Sequence, residues 1–223
     1  MPQNLQLTLD YLEDLRFNNN KTWFDENRKR YDQARANFEE LVADVLQHFA
    51  PVEDLGKTTI KECTFRINRD VRFSKDKTPY KSHLAALIGK GGRKTNGRSY
   101  YLHIEPGGSI IAGGVYAPMP EHTKAIRAAI DADHGKKLTA IINRADFKKY
   151  FGAMQGETLK TTPKGYAADH PAIDLLKQKQ FMAIHKLDDA DVLQEDFAAH
   201  VIAVCQALKP FERYFNDITG ASL

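Results

Sequence analysis

The residues best equipped for chemistry lie in one short run, FRINRDVRFSKDKTPYK, residues 65–81. Eight of its seventeen residues are charged and six of those are basic: Arg66, Arg69, Arg72, Lys75, Lys77 and Lys81. Phe65, Phe73 and Tyr80 are interleaved with them, and only Asp70 and Asp76 oppose them. A guanidinium presents a planar fork of donors that matches phosphate or carboxylate, and an ammonium adds compact positive charge. Six bases against two acids cannot be neutralised within the run. The chemistry on offer is therefore the binding of an anion.

Periodicity suggests how these side chains are displayed. In FRINRDVRF, Phe65, Ile67, Arg69, Val71 and Phe73 alternate with Arg66, Asn68, Asp70 and Arg72. That alternation predicts a β-strand over 65–73. Arg66, Asn68, Asp70 and Arg72 would share one face, with Asp70 orienting the two guanidiniums. Arg69 would fall on the apolar face. It should then be the most buried base of the run and need a carboxylate or several carbonyls nearby, with Asp76, Glu105 and the acidic helices as candidates. Pro79 cannot continue a ladder, so SKDKTPYK is expected to be a loop that rims the site with Lys75, Lys77 and Lys81. Asp76 and Tyr80 complete the expected ligand-binding set. The competing readings are a solvated face of salt bridges and an ion-pair network that only fixes the fold.

Proton-transfer candidates are fewer. Tyr101, His103 and Glu105 occur at alternate positions and would share a strand face; His103 and Tyr101, with Asp70, are the candidate catalytic groups. GKGGRKTNGR (89–98) combines four glycines with Lys90, Arg93, Lys94 and Arg98, but its spacing is not that of a phosphate-binding loop. A mobile hairpin loop is the stronger reading, with contact to a bound anion or a nucleic-acid backbone as its functional alternative. There is no H-E-x-x-H, no Cys/His cluster, no G-x-S-x-G and no dinucleotide fingerprint. Neither a metal nor a cofactor is expected.

The elements that must position these residues change character along the chain. Thr8 is read as the cap of a first helix, Asn18–Asn20 as its end, and Thr22 as the cap of a second, long helix closed by Pro51. Strands are expected at His83–Gly89, Tyr100–Glu105 and Ile110–Tyr116, the last two joined by the turn Pro106–Ser109. Helices are expected around 121–132 and 136–150, then a short helix begun at Pro171. Phe181–His185 is read as an added edge strand. A long terminal helix is capped by Asp189 or Asp191 and bent or ended at Pro210. The fold class is α+β: a single domain over 1–223, with an antiparallel sheet, mainly from residues 58–116, flanked by N- and C-terminal helices.

Composition narrows the setting. The net charge of +3 conceals a gradient: residues 1–56 carry −5, residues 57–98 carry +9 and residues 99–223 carry −1. The middle segment is thus a local attractor of anions. No apolar run is long enough for a membrane span, and the first residues lack the pattern of a secretory signal. Cys63 and Cys205 are expected to be reduced thiols in the cytoplasm.

The spelling R-x-x-R-D-x-R-F-x-x-D-K-x-P-Y, given by Arg66, Arg69, Asp70, Arg72, Phe73, Asp76, Lys77, Pro79 and Tyr80, resembles the signature of bacterial conserved hypothetical proteins known as domain of unknown function 2461. NNNKTWFDENRKRY, YYLHIEPGGS and LKTTPKGYAADHP are similar to that family's other blocks, so the resemblance runs along the whole chain. It implies a cytosolic bacterial protein of one domain and no established activity. The expected partner is an anionic small molecule, phosphorylated or carboxylated. A nucleic acid is the alternative: aromatic rings on a basic surface can stack bases. No membrane partner is expected, and nothing in the sequence bears on oligomeric state.

Overall fold

The computed structural model describes residues 5–95 and 97–220. Helix α1 (Leu5–Phe17) turns Leu5, Leu9, Leu12 and Leu15 inward at helical spacing. Asn18 ends it, donating from Nδ2 to the Asp14 carbonyl at 2.8 Å. Helix α2 (Lys21–Glu26) is capped by Asn20, whose Oδ1 accepts from the Trp23 amide at 3.0 Å. Asn20 thus does what was expected of Thr22. A break at Asn27 then separates α2 from α3 (Arg28–Phe49), where one unbroken helix was expected. Asn27 donates from its side chain to the Trp23 carbonyl at 3.0 Å, a local bond that competes with helix continuation.

Helix α3 buries Tyr31, Ala34, Phe38, Leu41, Val42, Val45 and Phe49. Each such large apolar side chain removed from water contributes roughly 1.5–3 kcal/mol. One polar link joins α3 to α1: the buried Thr8 hydroxyl donates to the Ala34 carbonyl at 3.1 Å. Helix α4 (Ile60–Cys63) is a single turn held by a reciprocal cap, Thr59 with Glu62.

Strand β1 (Leu84–Ile88), a 3-10 turn (Gly92–Lys94), β2 (Tyr100–Ile104) and β3 (Ser109–Val115) follow. Helices α5 (Pro120–Ala132), α6 (Lys136–Ile142), α7 (Ala145–Phe151) and α8 (Ile173–Leu176) lead to β4 (Phe181–Leu187). Helices α9 (Asp189–Val192) and α10 (Phe197–Thr219) end the chain. The four strands form one antiparallel sheet in the order β1-β2-β3-β4, so the fold is α+β with helices before and after the sheet. The late strand β4 takes the edge position. Asp188 caps the short α9 through a reciprocal bond with Asp191, while α10 runs on through Pro210. Among the described residues no helix is long and apolar enough to cross a membrane.

Contacts divide the chain into two compact units. The first comprises 1–94, 100–111 and 186–203; the second comprises 95–99, 112–185 and 204–223. The first unit is cored by α1, α3 and the inward side chains of β1 and β2. Tyr100 is buried there and donates its hydroxyl to the buried Glu53 at 3.0 Å. The second unit is cored by aromatic rings: Phe211 lies 5.3 Å from Phe147 and 4.9 Å from Phe215, centroid to centroid. In that unit the buried Glu212 accepts from the Gly114 amide. Both cysteines are buried free thiols.

The strand expected over 65–73 is not formed. Only Thr64 and Asn68 make isolated bridges, to Ala86 and Tyr80. The segment folds back on itself instead: the Arg69 amide donates to the Pro79 carbonyl and the Lys81 amide to the Ile67 carbonyl, both at 2.9 Å. The cause is local. Asp70 accepts from the Arg72 amide at 3.3 Å, and Asp76 accepts from the Thr78 amide at 3.0 Å. Side-chain turns of this kind bend the backbone away from an extended ladder.

A candidate anion pocket and an adjoining His–Glu cluster

Folding back of residues 65–81 separates side chains that a strand would have aligned. Asp70 accepts from Arg72 Nε at 2.9 Å and Nη2 at 2.7 Å, a two-pronged pair. Arg72 nevertheless remains 76% exposed. The Arg72 guanidinium, its amide and the charge of Arg66 hold the Asp70 carboxyl below the usual range. Asp70 thus clasps Arg72 and does not bridge it to Arg66. Lys75 is exposed, and Lys77 donates back to the Val71 carbonyl at 2.9 Å. Phe73 stands 96% exposed among them.

Arg69 behaves differently. Its side chain is only 27% exposed and donates to Asp76 and to the Thr78 hydroxyl. The expected carboxylate partner is therefore Asp76, which is itself 57% exposed. Arg69, Thr78 and the backbone amide of Thr78 together lower the Asp76 pKa to about 2. A carboxyl depressed in the folded state stabilises the fold above its unfolded value, near 3.9, and loses that contribution as pH falls through about 2. Acid unfolding of Asp76→Asn should therefore show a smaller slope between pH 4 and pH 2 than wild type. An unchanged slope in melts across that window would remove Asp76 from the account.

Arg66 turns elsewhere. Among the described residues it has no hydrogen-bond partner, and it lines a pocket of about 370 Å3. Arg28, Arg35, Lys61 and Arg93 line the same pocket, and Asp25 is the one carboxylate that does so among the described residues. The bases arrive from several elements. Arg28 and Arg35 come from α3, Lys61 from α4, and Arg93 from the 3-10 turn. Arg93 is aimed by two backbone bonds at 3.1 Å, from Nε to the Glu62 carbonyl and from Nη2 to the Lys61 carbonyl. Arg28 and Arg35 are steadied by Asp32 at 3.2 Å and Glu39 at 2.8 Å on their own helix.

Aromatic rings form the wall. Phe24 and Tyr80 stack with centroids 4.0 Å apart, and Arg28 lies 5.3 Å from the Tyr31 centroid. Tyr80 is fixed by Asn19, which donates to its carbonyl and accepts from its amide, both at 3.0 Å. Asn68 also lines this pocket and is bridged to Tyr80. Lys81 sits 5.4 Å from the Phe65 centroid. Burial first, then the charges of Arg66 and Arg93, push its pKa below the usual value. Of the ten residues expected to bind a ligand, Arg66, Asn68 and Tyr80 thus line this pocket and Lys81 stands beside it. Arg69, Asp76, Tyr80 and Lys81 line a neighbouring depression. Asp70, Arg72, Lys75 and Lys77 lie on the outer loop. Arg28, Arg35, Lys61 and Arg93 were not among the expected ligands.

On β2, Tyr101 and His103 form a relay with Glu105. Tyr101 Oη lies 3.0 Å from His103 Nδ1, and His103 Nε2 lies 3.0 Å from Glu105 Oε2. With Glu105 ionised, Nε2 donates to it and Nδ1 accepts from the tyrosine. Burial raises the Glu105 pKa, but the bonds from His103 and Ser82 outweigh it and the net shift is downward. Burial lowers the pKa of His103, and His83, stacked on it at 4.1 Å, is pushed down to about 4 by burial and by its neighbour. His83 was missed as a site residue in the sequence, although it opens the expected strand His83–Gly89.

No curated protein and no solved structure matches the chain. A family profile, described as conserved hypothetical protein (DUF2461), matches residues 7–214, which takes in most of α1, both site regions and most of α10. The chain is a member of that family of conserved hypothetical proteins.

Proposed function

We propose that the protein binds a phosphorylated or carboxylated small molecule in the pocket lined by Arg28, Arg35, Lys61, Arg66 and Arg93. One observation carries this reading: five bases and one acid converge on a concavity of about 370 Å3. Specific small-molecule sites occupy roughly 300–1,000 Å3 and combine apolar walls with a few convergent polar groups. Phe24, Tyr31 and Tyr80 supply such walls. Arg66 supports the reading further, because its guanidinium is left with donors to offer a ligand. The two buried, unpaired thiols fit a reducing compartment, and the reading places the protein in the bacterial cytosol.

A second reading rests on Phe73. A ring that is 96% exposed, flanked by Arg72, Lys75 and Lys77, suits stacking on a single-stranded nucleic acid. One experiment separates the two. Phosphorylated and carboxylated metabolites, nucleotides and oligonucleotides of increasing length are titrated into wild type and into Arg66→Ala. The pocket reading expects saturable binding of a compact anion, weaker in the variant and weaker as salt rises. Binding confined to oligonucleotides, tighter with length and lost in Phe73→Ala, would replace it with the second reading.

A further inference from the structure

We propose that His83, His103 and Glu105 form a binding site for a divalent transition-metal ion of the zinc class. The strand register brings them together. β1 and β2 pair antiparallel with Leu84 opposite Ile104 and Ala85 opposite His103. One step further along the same register sets His83 opposite Glu105. All three residues then share the face that Tyr101 also occupies. Their donor atoms lie within 4.8 Å of one another, and all three side chains are half-buried.

Two imidazoles and a carboxylate are a donor set that holds zinc or iron(II) and leaves a coordination position open. A tetrahedral ion with bonds of about 2.0–2.2 Å spaces its donors about 3.4 Å apart. His103 Nε2 and Glu105 Oε2, at 3.0 Å, stand close to that spacing. An ion entering between them replaces their hydrogen bond, and the His83 ring swings inward to join. Nothing among the described residues hydrogen-bonds the His83 ring, so it is able to do so.

The outer partners are already in place. Binding the ion moves neutral His103 to its Nδ1–H tautomer: Nε2 gives up the proton it shares with Glu105 and coordinates, while Nδ1, 3.0 Å from Tyr101 Oη, takes up a proton and donates to that oxygen. Ser82 donates to Glu105 Oε1 at 2.9 Å and leaves Oε2. Arg16 also faces Oε1, at 3.6 Å, and its charge is shared with Glu13 and the Pro106 carbonyl. Metal-binding histidines and carboxylates are regularly oriented by such second contacts. A depression of about 440 Å3, lined by Arg16, Ser82 and His83, provides access.

Cobalt(II) tests this without any assay of activity. The full chain is stripped with a chelator, dialysed and titrated with Co2+. We expect one equivalent to bind with the visible absorption of a four- or five-coordinate ion, and Zn2+ to displace it. His83→Gln and Glu105→Gln should each weaken binding at least about tenfold, and Tyr101→Phe about tenfold through His103. His48→Ala, on an exposed position of α3, should bind as wild type does. His83→Gln removes no hydrogen bond to the described residues, so circular dichroism should be unchanged and its loss of binding readable. A spectrum typical of hexa-aquo cobalt throughout the titration would overturn the proposal, as would affinity that survives His83→Gln. Phosphate binding by Arg66 is a separate measurement, so each site can fail without the other.

Discussion

Arg66→Ala is expected to weaken binding of a phosphorylated ligand by about 10- to 100-fold, while Arg72→Ala leaves it within about twofold. Both arginines belong to the same basic run, and a strand would have placed them side by side. The fold separates them. Arg72 has its fork occupied by Asp70 and points outward at 76% exposure. Arg66 faces the pocket without a hydrogen-bond partner among the described residues. A hydrogen bond to a charged group is worth roughly 1.5–3 kcal/mol, and 1.4 kcal/mol is a factor of ten. The stability of Arg66→Ala should stay near wild type, because the residue is exposed and hydrogen-bonds to none of the described residues. Titration calorimetry of the two variants decides the matter. Equal losses in both would mean that the outer loop, not the pocket, holds the anion.

Gly92→Ala is expected to destabilise the fold by about 2–4 kcal/mol and to weaken the same ligand. Gly92 has φ +56, and a methyl group there would sit 2.5 Å from the Glu62 carbonyl oxygen and 2.6 Å from its carbon. Those atoms are backbone and cannot swing aside. The 3-10 turn would have to lift from α4, and Arg93, which bonds the Lys61 and Glu62 carbonyls, would lift with it. Gly107 is the internal control. Its φ is +66, but nothing lies within 4 Å of the same methyl. Gly107→Ala should therefore cost only the conformational part, about 1 kcal/mol. Urea melts of both variants test the contrast. Equal destabilisation would show that the turn is not wedged against α4.

The contrast between Arg66 and Arg72 also shows where sequence reasoning reaches its limit. Helices α1, α3, α5 and α10 and strands β1 to β3 announce themselves through apolar periodicity, because each buries one side. Even the late strand β4 was visible as Phe181–His185. Residues 65–73 carry the same alternation, yet Asp70 and Asp76 each capture an amide two residues on and turn the chain. An alternating pattern with an Asx residue inside it is satisfied by either conformation, and here the local turn wins. Asn27 breaks a helix for a related reason.

The site divides along the same line. Arg66 and Tyr80 were legible because charge and rings crowd one short run. Arg28, Arg35 and Lys61 were not, since they come from two other elements and converge only through packing; Arg93 was legible only as one base of a glycine-rich loop able to cover an anion. His83 was the first residue of an expected strand and lies one residue before the observed β1. Only the β1–β2 register, which sequence does not state, sets it beside His103 and Glu105. Arg69 found the carboxylate its position called for. Because Asp76 is largely exposed, the pair is less deeply buried than the alternation implied.

The central claim is that the pocket of Arg28, Arg66 and Arg93 receives an anion. Crystals soaked in tungstate, a phosphate-like oxyanion visible by anomalous scattering, test it most directly. The account expects one strong peak within hydrogen-bonding reach of Arg66 and at least one of Arg28, Arg35, Lys61 and Arg93, absent from crystals of Arg66→Ala. Peaks confined to the outer loop at Arg72, Lys75 and Lys77, with the pocket empty, would contradict it.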